Sequence, residues 1–113
     1  MEIKTTTQGK ATVISLSGSL DGATVNAAQE QIMPLLLGNM SMVLDLKDCG
    51  YISSAGLRLL LMAAKQLSTQ GGVLVLSGLS AEIKDVMEMT GFNNFFKTFD
   101  SVGAAVEAVT KGE

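Results

Sequence analysis

A chain of 113 residues, 47% of them apolar and with a net charge of −3, fits one domain over residues 1–113 with a single packed core. It contains no histidine, no tryptophan, one cysteine and no run of Lys or Arg. Those absences remove the usual general base and the commonest metal ligand, exclude an internal disulfide, and argue against a nucleic-acid partner.

Residues 2–7 and 11–17 are rich in Thr, Val and Ile, and Gln8-Gly9-Lys10 supplies a turn between them, so the chain is predicted to open with a hairpin. After Gly18, Asp21 or Gly22 starts a predicted helix that runs to about Leu37, with Val25, Ala28, Ile32 and Leu35 on its core side. Pro34 shortens or kinks its last turn, and Gly38-Asn39 closes it. Met42-Val43-Leu44-Asp45-Leu46 is nearly all apolar, the pattern of an interior strand covered on both faces. A helix from Ser54 to about Gln70 comes next and stops at Gly71-Gly72, ahead of a second interior strand, Val73-Leu74-Val75-Leu76.

Ser80 is placed to cap a third helix with Ile83, Val86 and Met87 facing inward, and Gly91 suits its left-handed exit. All four phenylalanines fall between positions 92 and 99, in a connector expected to pin the last helix onto the sheet. That helix is expected to be capped by Asp100 or Ser101 and to bury Val102, Ala105, Val106 and Val109. The order is therefore β-β-α-β-α-β-α-α: an α/β domain with a mixed sheet of four to five strands and about four helices. Its parallel strands are joined by right-handed crossovers, and the hairpin adds an antiparallel edge. The longest apolar run, 59–64, is too short to span a bilayer, and the first residues lack a secretory pattern. A cytoplasmic protein without membrane insertion, monomeric outside complexes, is expected.

Chemistry concentrates at Cys49-Gly50-Tyr51-Ile52-Ser53-Ser54-Ala55-Gly56-Leu57-Arg58, where a strand gives way to a helix. Two adjacent hydroxyls stand at the helix end that carries unpaired N–H groups and partial positive charge, an environment that tolerates phosphate. Ser53 is the more natural cap, and Ser54 comes directly after it. Arg58 lies four residues beyond Ser54, within helical reach of a phosphate placed there. Gly56 permits close approach of another backbone. Leu57, Leu60, Leu61, Ala64 and Leu67 make one apolar side of this helix, opposite Arg58, Met62, Lys65 and Thr69. Met62 is the apolar exception on the polar side and a candidate for a partner-docking surface beside Ser54. Cys49 reads as a small buried hydrophobe, and Asp45 as a ligand of backbone amides rather than of a metal. Gly18-Ser19-Leu20-Asp21-Gly22 lacks the lysine of a phosphate loop, so neither an enzyme nor a cofactor is expected.

Taken together, Gly18-Ser19-Leu20-Asp21, Val43-Leu44-Asp45-Leu46, Tyr51-Ile52-Ser53-Ser54-Ala55-Gly56-Leu57, the 92–99 region and the closing helix resemble the STAS family, the sulfate-transporter and anti-sigma-factor-antagonist domain. The likeness is strongest to its small stand-alone bacterial antagonists. It implies a protein that binds a kinase-like anti-sigma factor, frees the sigma factor held there, and is switched off by serine phosphorylation and restored by a metal-dependent phosphatase. The family's acceptor motif is Asp-Ser-Ser-Gly-Leu or Asp-Ser-Thr-Gly-Leu. Here Ser53 occupies the Asp position and Ala55 the second hydroxyl position, so the resemblance points to Ser54 as acceptor, with Ser53 second. It implies a partner surface comprising Asp21, Ser53, Ser54, Gly56, Arg58 and Met62, with no catalytic residue and no metal. The alternative it leaves open is a constitutive STAS adaptor, such as a regulatory subunit of a membrane transporter.

Overall fold

The computed structural model describes residues 1–110. Five strands form one sheet in the order β1-β2-β3-β4-β5: β1 (Glu2–Gln8), β2 (Ala11–Leu20), β3 (Ser41–Ile52), β4 (Val73–Ser77) and β5 (Thr98–Phe99). β1 runs antiparallel to β2, and the remaining neighbours are parallel. Among the described residues there are four helices: α1 (Val25–Leu36), α2 (Ser54–Thr69), α3 (Ala81–Thr90) and α4 (Val102–Thr110). Register explains the continuous apolar runs. Ile14, Leu44 and Leu76 are aligned across three strands and face the core under α1, α2 and α3. Val13, Val43 and Val75 form the adjacent row and face α4, with Ala105 and Val109. Successive side chains of a strand point to opposite faces, so a sheet covered on both sides must be apolar at every position.

Several elements differ from the sequence expectation. α1 begins at Val25, four residues later than Asp21, because Asp21 and Thr24 first build a turn of their own. Its buried residues are Ala28, Ile32 and Leu36, with Val25 and Leu35 only half-buried. In α2 the buried set includes Leu59 and Ala63, while Leu61 and Ala64 are half-buried, so the core stripe is broader than the sequence pattern suggested. β3 extends to Ile52, well past Leu46. Beyond Asp45 it pairs with β2 alone, through register shifts that bracket Ser17 and Gly18. These irregularities bury Leu46, Cys49 and Ile52 at every third position and expose the residues between them.

The 92–99 connector holds a 3₁₀ turn, Phe92–Asn94, and the short edge strand β5. Only Phe99 joins the α4 layer; Phe96 is buried in the larger core, Phe92 packs against that core, and Phe95 stays 62% exposed. The expectation that all four pin the last helix is corrected to Phe99 alone. α4 is preceded by Ser101, whose Oγ accepts the Ala104 N–H at 3.1 Å, so Ser101 and not Asp100 supplies the cap. Ala105, Ala108 and Val109 are its buried residues, Val102 and Val106 being partly exposed. Ser80 caps α3 and Gly91 closes it at φ 79°, both as expected. No helix among the described residues is long and apolar enough to cross a membrane.

Candidate functional site

β3 passes into α2 through one residue, Ser53, whose backbone is extended (φ −83°, ψ 175°). Three hydrogen bonds fix it. Its N–H donates to the Leu20 carbonyl at 2.9 Å, tying the junction to the end of β2. Its carbonyl accepts the Leu57 N–H at 2.9 Å, and its Oγ accepts the Gly56 N–H at 3.3 Å. Ser53 is therefore the cap, and a cap of this kind contributes about 1 kcal/mol.

Ser54 is the first helical residue. Its side chain is exposed, and its hydroxyl makes no hydrogen bond among the described residues. The first turn of α2 contains no acidic side chain, so the partial positive charge of this helix end is uncompensated. Arg58 is exposed one turn further on, and no carboxylate among the described residues pairs with it. Met62, one more turn along, is 42% exposed.

Gly56 allows a close backbone approach, as its lack of a side chain suggested. It is buried, and a Cβ there would stand 2.7 Å from the Leu20 carbonyl oxygen and 2.9 Å from Leu20 Cγ and Ile52 Cγ2. The close approach it permits is to its own chain, seating the first turn of α2 against β2. Gly56 is thereby wedged under the first turn that carries Ser54.

The same Leu20 carbonyl links this junction to Asp21, the next residue. Asp21 Oδ1 accepts the N–H groups of Ala23 at 2.9 Å and Thr24 at 3.2 Å, while Thr24 Oγ1 donates to the Ser19 carbonyl at 2.7 Å. The fold thus brings Asp21, Ser53, Ser54 and Arg58 to one end of the molecule. Asp45 lies apart, in the row that faces α4, where Oδ1 accepts the Lys47 N–H at 3.1 Å and Oδ2 the Ser15 hydroxyl at 3.3 Å.

Sequence reasoning passed over Tyr51. It is 54% exposed on the last stretch of β3, opposite Ser19, two residues before the cap. An aromatic beside a polar junction was the available signal, but ordinary strand alternation gives no hint that it faces outward. Cys49, two residues before it, is buried; its thiol donates to the Tyr51 carbonyl at 3.5 Å. Burial pushes the thiol up from its ordinary range, against smaller lowering by the backbone at Tyr51 and Leu20, so it stays protonated and unreactive at neutral pH. Among the described residues no cluster of three or more His, Cys, Asp or Glu side chains is placed to hold a metal.

Comparisons with known proteins bear on this geometry. The STAS domain model matches residues 2–105. A protein of Bordetella bronchiseptica named "Putative anti-sigma factor antagonist BtrV" is 40% identical over 98 residues, covering 82% of this chain and 84% of its own. The anti-sigma-B factor antagonist of Staphylococcus aureus is 30% identical over 95 residues, covering 83% and 88%. In three dimensions, the Bacillus cell fate determinant SpoIIAA in its phosphorylated form superposes with a TM-score of 0.73 at 19% identity, over 96% of this chain and 99% of that one.

Proposed function

The chain belongs to the STAS domain family, and from that membership we propose that it is an anti-sigma factor antagonist working by partner switching. In this reading the unmodified protein binds an anti-sigma factor kinase and frees the sigma factor. Phosphorylation of Ser54 ends that binding, and a metal-dependent phosphatase restores it. The protein is the substrate of these reactions and catalyses none.

The observation that supports Ser54 over its neighbour is the division of labour between the two hydroxyls. Ser53 Oγ is engaged in the cap, whereas the Ser54 hydroxyl is exposed and unengaged. A phosphate adds about −1.5 to −2 charges at neutral pH. At an exposed helix start the dipole favours such a group by about 0.3–1 kcal/mol, so the fold absorbs the modification without cost. The effect must then emerge in the complex, where a dianion has to be stripped of water against the partner. Each 1.4 kcal/mol of that penalty lowers affinity about tenfold.

The test is intact mass after incubation with ATP and the host's anti-sigma factor kinases, and then binding. One phosphate is expected on the parent and on Ser53→Ala and none on Ser54→Ala, with kinase affinity falling about a hundredfold on modification. Failure to take up phosphate, or uptake that persists in Ser54→Ala, overturns the proposal. Binding by the parent that is the same before and after modification points instead to a constitutive adaptor.

A further inference from the structure

Two neighbouring helices carry opposite charge on the sides they turn to solvent. α2 and α3 follow the adjacent strands β3 and β4 and pack onto the same core, so their outward stripes lie on one side of the sheet. On α2 that stripe is Ser54, Arg58, Met62, Lys65 and Thr69, all exposed, with two cations and no carboxylate. On α3 it is Glu82, Asp85, Glu88 and Met89, again all exposed. The one cation of α3, Lys84, lies about 100° around the helix from Asp85 and pairs with Asp100 at 3.8 Å. Arg58, Lys65, Glu82, Asp85 and Glu88 have no ion-pair partner among the described residues. Each stripe also holds an exposed methionine, Met62 at 42% and Met89 at 86%.

Asp85, Glu88 and Met89 line a shallow hollow of about 330 Å³. Two carboxylates beside an apolar side chain suit a long cationic one, whose stem lies on the methionine while its head reaches the oxygens. Arg58 and Lys65 are side chains of that kind.

We infer that a second copy of this chain covers these stripes: two molecules pair helix layer to helix layer about a two-fold axis, α2 of each lying on α3 of the other. The complementarity that argues for this occupant is contained in the chain itself. Setting α2 on α2, or α3 on α3, juxtaposes like charges and costs affinity; only the crossed arrangement matches opposite ones. A two-fold axis makes that contact twice and closes, so association stops at two copies. Arg58 and Lys65 of one molecule meet Asp85 and Glu88 of the other, and Met62 packs on Met89. A contact built from exposed charges and two methionines is weak and sensitive to salt. The monomer expected from size and charge is therefore the dilute form. The pairing does not depend on the antagonist reading.

Sedimentation equilibrium on the full chain, from about 5 to about 500 µM protein at about 50 and about 300 mM salt, tests the inference. The parent is expected to reach twice its mass at low salt, with a dissociation constant raised at least about tenfold at high salt. Reversing one stripe alone, by Arg58→Glu with Lys65→Glu or by Asp85→Lys with Glu88→Lys, is expected to weaken pairing about a hundredfold. Mixing those two double variants restores it as a heterodimer, since each then offers the charge the other lacks. All four substitutions in one chain exchange two charges of each sign, leave the net charge at −3, and restore self-association. Every substituted position is exposed, and urea midpoints establish that each variant folds. A parent that stays monomeric at low salt, growth past two copies, or a dimer indifferent to both reversals overturns the inference. So does failure of both the mixture and the fourfold variant to pair, because the reversals would then have acted on some other contact.

Discussion

α2 and α3 both start from a serine on extended backbone: Ser53 Oγ accepts the Gly56 N–H at 3.3 Å, and Ser80 Oγ accepts the Ile83 N–H at 3.2 Å. The residues just beyond the two caps differ. At α3 they are Ala81, Glu82 and Ile83, giving a neutral first position, a carboxylate that offsets the helix dipole, and an apolar side chain that is buried in the core. At α2 they are Ser54, Ala55 and Gly56, giving an exposed hydroxyl, no offsetting charge, and a residue without a side chain pressed against Leu20. Capping chemistry by itself therefore says nothing about function. The distinction lies in the three positions after the cap, where one helix is finished electrostatically and the other is left open.

The third position offers the largest contrast. Gly56→Ala forces a Cβ to within 2.7 Å of a backbone oxygen and is expected to destabilise by about 2–3 kcal/mol through overpacking. Ile83→Ala is expected to cost about 2–4 kcal/mol by the opposite route, an unfilled cavity. Urea unfolding measures both, and only the Gly56 change should also displace Ser54 and reduce the phosphorylation proposed there. The caps themselves are predicted to be equivalent: Ser53→Ala and Ser80→Ala should each lose about 1 kcal/mol, within about 0.5 kcal/mol of one another. A much larger loss at Ser53 would mean that its tie to Leu20 depends on the hydroxyl and not on the backbone alone. The smallest effect concerns charge. Ser54→Glu is expected to raise stability by about 0.3–1 kcal/mol in low salt, and Ala81→Glu by less, because Glu82 already offsets that end. Thermal melts at two ionic strengths would distinguish them, and equal gains would show that Glu82 contributes no compensation.

Outside this pair, Ser77 supplies a control on how the sheet handles polarity. It is fully buried, and its hydroxyl finds no hydrogen-bond partner among the described residues. Ser77→Ala is therefore expected to be neutral or to stabilise by up to about 1 kcal/mol in the same urea experiment.

Legibility from the residues alone depends on which physical signals are local. Ser80, Gly91 and the paired apolar runs of β3 and β4 announce themselves through capping, left-handed backbone and two-sided burial, each decided within a few residues. β5 has only two residues, Thr98 and Phe99, too few to carry a period. The far half of β3 is hidden because its bulged pairing with β2 buries Leu46, Cys49 and Ile52 at a spacing of three, and that same irregularity turns Tyr51 outward. At the site, Ser53 and Ser54 are legible as cap and first helical residue. The backbone that Gly56 approaches is not, since it belongs to Leu20, which is remote in sequence and supplied by β2.

The single-residue passage from β3 into α2, anchored through the Leu20 carbonyl, has a bearing on the phosphorylation proposed for Ser54. Many kinases thread a pliable stretch of substrate into an elongated cleft, and no such stretch exists here. An enzyme acting at this spot has to accept an intact folded body with a serine on a stiff corner. A synthetic peptide spanning positions 48–60 should consequently be ignored where the folded protein is modified, so that only correctly assembled molecules receive the mark.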